Sequence, residues 1–222
     1  MSKYLMWEQP PTAESVSRLV NFSDAVVAIA ITLLVLPLVD IEPPSGGESV
    51  WDVMHENSGS FLAFGLSFVI TLLYWRRHHR MFDGLMSFTP ALLALNGVWL
   101  ALVVFLQFPT EMLGRSEAPG TATLYLLTLA AITASGLAIL WYLFRHPDLV
   151  EEDRLPSRSQ ALWAGITAVY MLLLALVGLW DSSVALFGLF GLFPLGWAEN
   201  AMLRRRGRAA SSRPTASGQA DS

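Results

Sequence analysis

The chain has 222 residues, 54% of them hydrophobic and only 14% charged, and its formal net charge is −4. A soluble domain of this size carries about a quarter charged residues, so the composition points to a membrane protein, and so mild a charge gives no reason to expect nucleic acid as a partner. The chain has no cysteine, which excludes disulfides, thiolate metal sites and thiol nucleophiles.

Residues 1–15 read as a short polar arm, in which Pro10 and Pro11 precede Thr12, a residue type that caps helices. No small-residue cleavage site follows a short apolar core, so no cleavable signal is expected. The first span, roughly 16–39, contains RLVNFSDAVVAIAITLLVLPL from Arg18 to Leu38, uncharged between Asp24 and Asp40. A run of that length crosses the roughly 30 Å hydrocarbon layer as a helix. Pro37 and then Pro43 and Pro44 should end it. Residues 40–57 form a polar loop bearing Asp40, Glu42, Glu48, Asp52 and Glu56, with no Lys or Arg.

The second span, about 59–75, is expected to stop at the basic run from Arg76 to Arg80. The third, about 88–108, is expected to stop at Phe108-Pro109-Thr110, and the fourth covers about 121–144. A fifth follows at 160–180 and a sixth, the shortest, at 184–198. The six-helix transmembrane domain thus covers 16–200, and the basic, then small and polar stretch 201–222 reads as a disordered tail.

Six spans return both termini to one side. Of the 14 Lys and Arg residues, all but Arg115 lie in or next to the N-terminal arm, the loops after spans two and four, and the tail. Short basic loops stay cytoplasmic, so both termini are expected in the cytoplasm. Trp75, Trp141, Trp180 and Trp197 lie near span ends, where tryptophan anchors a helix at the interface. ArgXaaXaaXaaPheSerAsp occurs once, so a symmetric structure built on this helix needs several subunits.

At about 100° per residue, Phe22, Val26, Ile29, Leu33 and Leu36 fall on one stripe of the first span, with Thr32 at its edge. Periodicity alone leaves pore lining, lipid contact and core packing open. Asp24 lies more than about 120° away from the stripe. A carboxylate at membrane depth must be paired, so Asp24 is expected to face its own bundle, as a polar clamp or a proton relay, with Arg18, His78, Ser23 or Asn96 as partner. His78 and His79 point about 100° apart among three arginines, which argues against a metal site. No catalytic or phosphate-binding pattern occurs, so no enzyme is expected.

Arg18-Leu19-Val20-Asn21-Phe22-Ser23-Asp24, leading into an Ile-, Ala-, Thr- and Leu-rich helix, resembles the ArgXaaXaaXaaPheSerAsp signature of the transmembrane protein 175 family of potassium channels in its bacterial single-repeat form. Trp75 and His78 in the second span, Asn96 in the third, and Phe108-Pro109-Thr110 after it also resemble that family's pattern, so the resemblance covers residues 15–200. It implies an all-α membrane protein of six helices per subunit, assembled as a homotetramer with the first helix lining a central pore. By the same resemblance, Ile29 forms the constriction, Leu33 and Leu36 the next layers, and Thr32 a potassium-preference position where ions bind transiently. Arg18, Phe22, Ser23, Asp24, Trp75, His78 and Asn96 would form the polar network that holds the pore helix. The vertebrate relatives carry two repeats per chain, which is why a single-repeat chain implies a tetramer.

The expectation is a leak-type, potassium-selective channel of the plasma or inner membrane with no cofactor and no fixed metal, in contact with lipid and with its own copies. Four aliphatic side chains around an axis form a dry ring that costs a strongly hydrated small ion more than a weakly hydrated large one. The acidic loop 40–57 could gather cations at the outer mouth. Proton permeation through the same pore is a variant, with Asp24 and His78 the residues to test. A secondary transporter is the alternative, although such proteins use repeats and broken midplane helices that are not evident here. A scaffold without transport is a third reading.

Overall fold

The computed structural model describes residues 12–116, 118–155 and 158–191. Among these residues the fold is helical, and the one extended pairing is an antiparallel bridge between Leu85 and Val150. Four helical segments are long and apolar enough to cross a membrane: Ala13–Val39, Ser58–Phe82, Pro90–Arg115 and Thr121–Arg145.

Helix α1 (Ala13–Leu33) begins where Thr12 caps it, the threonine hydroxyl accepting the Ser15 N–H at 3.3 Å. Regular bonding lapses at Leu34 and Val35 and resumes in α2 (Leu36–Val39), because Pro37 has no N–H to give the preceding turn. The acidic stretch that follows is partly ordered. Ser49 and Asp52 form a reciprocal capping box, with the Asp52 N–H 3.2 Å from the Ser49 hydroxyl and the Ser49 N–H 2.8 Å from the Asp52 carboxylate, and this starts α3 (Val50–Glu56).

Only Asn57 separates α3 from α4 (Ser58–Phe82). Helix α4 continues through the basic run to Phe82, beyond the expected stop at Arg76. Charges there end the apolar stretch without ending the helix, since long arginine stems can lie along the helix while their heads reach water. Thr89 caps α5 (Pro90–Phe105), and Pro90 occupies its first turn. The chain then bends at Leu106 and continues as α6 (Gln107–Arg115), so Phe108-Pro109-Thr110 lies inside a bent span and not at its end. Pro109 sits in the first turn of α6, where a missing N–H costs little.

Helix α7 (Thr121–Arg145) is the most enclosed, with Tyr125, Leu126, Leu129, Ile132, Ile139 and Leu143 fully buried, and it packs on α5, α6 and α8 (Arg158–Val177). The apolar part of α8, Ala161–Val177, is shorter than the four long spans. Asp181 caps α9 (Ser182–Gly188), the start of the expected sixth span. The remainder of that span beyond residue 191, Trp197, most of the N-terminal arm and the tail 201–222 lie outside the described residues.

Two contacts fix α4 against α6. The Ser60 hydroxyl donates to the Gly114 carbonyl at 3.2 Å, and a Cβ added at Gly114 would lie 2.7 Å from the Ser60 Cα, so the backbones touch where no side chain intervenes. Deeper in, the Ser67 hydroxyl bonds Thr110 at 2.9 Å and the Tyr125 hydroxyl at 3.1 Å, tying α4, α6 and α7 together. At the end of the molecule that carries Arg76–Arg80, Arg154 pairs with Asp83 at 2.5 Å and the Glu151 N–H donates to the Gly84 carbonyl at 2.9 Å.

Candidate functional site

Helix α1 divides into two faces. Val16, Leu19, Ser23, Val27, Ala30 and Leu34, spaced three or four residues apart, are buried against α4 and α5. On the opposite face Phe22, Ile29 and Leu36 are 61%, 60% and 52% exposed; Leu33 is also exposed and Val26 is half-buried. The stripe read from the sequence therefore points away from its own subunit. Thr32 is exposed beside it, and its hydroxyl donates to the Ile29 carbonyl at 2.8 Å. Next to the end of this face, a cavity of about 420 Å³ opens between α1–α2 and α5–α6, with Leu33, Leu36, Asp40, Gln107 and Glu111 in its lining.

A chain of hydrogen bonds holds the inner face. The Ser23 hydroxyl donates its one proton to the Leu19 carbonyl at 2.9 Å, so the Asn96 amide must donate to Ser23, which it does at 2.9 Å. That orientation turns the Asn96 oxygen toward His78 Nε2, 2.7 Å away, and assigns the imidazole proton to Nε2. His78 is 2% exposed and sandwiched by rings, its centroid 3.9 Å from that of Trp99 and 4.5 Å from that of Phe82. Helices α1, α4 and α5 each contribute one side chain, and no member of this chain lacks a partner.

One residue along α1, Asp24 makes a second attachment to α4. Trp75 Nε1 donates to its carboxylate at 2.8 Å, and His79 Nδ1 stands 3.4 Å from the other oxygen. Trp75 and His79 are one turn apart and their rings lie 5.5 Å apart, centre to centre. His79 is the member that the sequence reading missed. The signal available was its i+4 relation to Trp75, which places both on one face of α4.

The structure brings Ser23, Asp24, Trp75, His78 and Asn96 together. Arg18 and Phe22 stand apart from them. Arg18 pairs with Glu14 at 2.6 Å on the exposed side of α1, and Phe22 lies one residue before Ser23 on the outward face. The helical turn explains the separation, since neighbouring residues point about 100° apart. The same geometry parts the two adjacent histidines, one stacked in the core and the other turned to Asp24. Of the span-end tryptophans, Trp141 carries the Arg145 guanidinium 4.3 Å from its ring centre and Trp180 is exposed, whereas Trp75 is taken up in the network.

Known proteins resemble this chain in sequence and fold. A family model described as endosomal/lysosomal potassium channel TMEM175 matches residues 18–106. Potassium channel B446_29190 of Streptomyces collinus is 33% identical over 141 residues, covering 60% of this chain and 67% of that protein. Potassium channel Cha6605_3372 of Chamaesiphon minutus is 41% identical over 114 residues, covering 50% of this chain and 54% of that protein. The chain thus spans about half to two thirds of the length of these relatives. The crystal structure of a lysosomal potassium-selective channel TMEM175 homolog from Chamaesiphon minutus has the same fold, with a TM-score of 0.70 at 24% identity over 84% of this chain and 99% of that one. The matched segment 18–106 holds most of α1, both of its attachments and the α4 and α5 side chains that make them, and this multi-pass membrane protein belongs to the TMEM175 family of ion channels, not to any enzyme family.

Proposed function

We propose that the chain is the subunit of a homotetrameric, potassium-selective, leak-type channel of the cell membrane, in which the outward face of α1 lines a shared pore. The observation that carries this reading is the division of α1 into a face hydrogen-bonded to its own subunit and an apolar face, Ile29, Leu33 and Leu36, that is exposed among the described residues. Four copies of Ile29 around an axis would form the constriction, with Leu33 and Leu36 as further aliphatic layers. A ring of that kind offers no replacement ligands, so it passes the ion that sheds its water most cheaply and favours potassium over sodium. Thr32, with its hydroxyl at the surface one turn along, is the polar group a dehydrated ion would meet transiently. Asp40 and Glu111, beside the cavity at the far end of the face, would raise the local cation concentration.

The basic residues support an orientation with both termini in the cytoplasm. Arg76–Arg80 and the 147–155 segment share one end of the molecule, as the Arg154–Asp83 pair demonstrates, and Arg115 lies at the end of α6, which packs against the start of α4. Short loops of that charge stay inside. Proton permeation through the same pore is a variant of this reading, and it is tested by replacing Asp24 or His78 and measuring the pH sensitivity of the flux.

The test is flux. Purified protein in liposomes should pass potassium down its gradient faster than sodium, and Ile29→Asn, which wets the constriction, should raise the flux or erode the selectivity. A native mass of four subunits should accompany it. No flux, or an Ile29→Asn protein indistinguishable from the parent, would overturn the pore assignment.

A further inference from the structure

Among the described residues, helix α3 is the one segment outside the spans that exposes large apolar side chains along a whole face. Around an ideal helix, Val53, Val50, Met54 and Trp51 occupy one arc, while His55, Asp52 and Glu56 occupy the other. Trp51 is 76% exposed, Val50 and Met54 are also exposed, and only Val53 is partly covered by the rest of the chain. Seven residues cannot hold a helix in water on propensity alone. The Ser49–Asp52 box supplies its start, and the Ser49 backbone N–H and hydroxyl keep the Asp52 carboxyl below its ordinary value. Among the described residues, nothing covers Val50, Trp51 and Met54 of its apolar arc.

We propose that α3 lies flat in the lipid interface, with Trp51, Met54 and Val50 inserted among the phospholipid headgroups at the end of the molecule opposite Arg76–Arg80. Position argues for this occupant. Asn57 alone separates α3 from α4, so the helix is held at the level where that span leaves the hydrocarbon. The apolar surface continues into the span at Leu62, which is 73% exposed one turn in. Tryptophan, with an apolar ring and one N–H, is the side chain most favoured at that depth. Charge then selects the kind of lipid. The polar arc carries two carboxylates and a histidine and no Lys or Arg, so attachment comes from apolar insertion and suits a zwitterionic surface, unlike the basic amphipathic helices that seek anionic lipid. An inserted α3 would hold the acidic 40–57 segment close to the membrane plane.

The chain's lack of cysteine makes the test direct. Trp51→Cys and Met54→Cys on the apolar arc, and His55→Cys on the polar arc, each place a single thiol for an environment-sensitive fluorophore. The labelled proteins are compared in phosphatidylcholine vesicles with two quenchers, a phospholipid bearing a nitroxide near its headgroup and aqueous iodide. Labels at 51 and 54 should emit to the blue of the label at 55, with several-fold stronger lipid quenching and several-fold weaker iodide quenching. Equal iodide quenching at all three sites would show a solvated loop and overturn the proposal. Labels at 51 and 54 shielded from both quenchers would show a protein contact, such as a second copy of the chain, and would overturn it equally. Two independent apolar sites keep the result readable if one variant fails to assemble.

Discussion

The two faces of α1 depart from the pattern of a helix in a soluble protein, whose exposed face is polar. The inner face is attached by polar groups, Ser23 and Asp24, and packed through Val16, Leu19, Val27, Ala30 and Leu34; the outer face is apolar too, with Phe22, Ile29 and Leu36 exposed. In a bilayer, burying an aliphatic side chain against protein gains little over leaving it in lipid, while a hydrogen bond without water competing for it fixes orientation. Orientation of α1 therefore comes from a few polar contacts and close packing, and the outer face is free to be chosen for what it presents.

That division is sharpened by removing its strongest element first. Asn96→Leu leaves the Ser23 hydroxyl without its donor and the buried His78 Nε2–H without an acceptor, and an unsatisfied buried group costs about 1–3 kcal/mol. The expected outcome is the largest drop in the thermal midpoint of the detergent-solubilised protein among these variants, with loss of potassium flux. Trp75→Phe keeps the ring and deletes the N–H to Asp24. A hydrogen bond to a charged group contributes about 1.5–3 kcal/mol, and partial exposure of Asp24 places the loss at the lower end, with a smaller fall in midpoint read by the same melting assay. Arg18→Ala deletes only an exposed i, i+4 pair with Glu14, a contact of about 0.3–0.5 kcal/mol, so its midpoint should match the parent's. If Arg18→Ala destabilised the protein as much as Trp75→Phe, the two-face description of α1 would fail.

Much of this arrangement was legible in the sequence because helical geometry is local. Thr12 as the cap, the Phe22-to-Leu36 stripe and the displacement of Asp24 from it follow from residue types and a fixed angle per residue. What was not legible depends on how helices meet. His78 and His79 are neighbours of the same type, and only the packing of α4 and α5 against α1 decides that one turns to Asn96 and the other to Asp24. The continuation of α4 beyond Arg76 and of the third span through Pro109 was hidden for a different reason. Charge and proline mark the ends of apolar runs, and a helix outlasts its apolar run when its arginines reach solvent and its proline falls in a first turn. The Ser67–Thr110–Tyr125 cluster left no pattern at all, since its members come from three helices up to 58 positions apart.

The hydrogen bonds from His78 through Asn96 and Ser23 all donate in one direction and end on the Leu19 carbonyl. A carbonyl oxygen has no hydrogen to give back. A proton wire conducts only if every link can reverse after a proton has passed, and this one is pinned at its terminus and interrupted by an amide. The network is therefore a strut whose bonds do not by themselves make a relay, so any effect of replacing His78 on a proton current would come through the placement of α1.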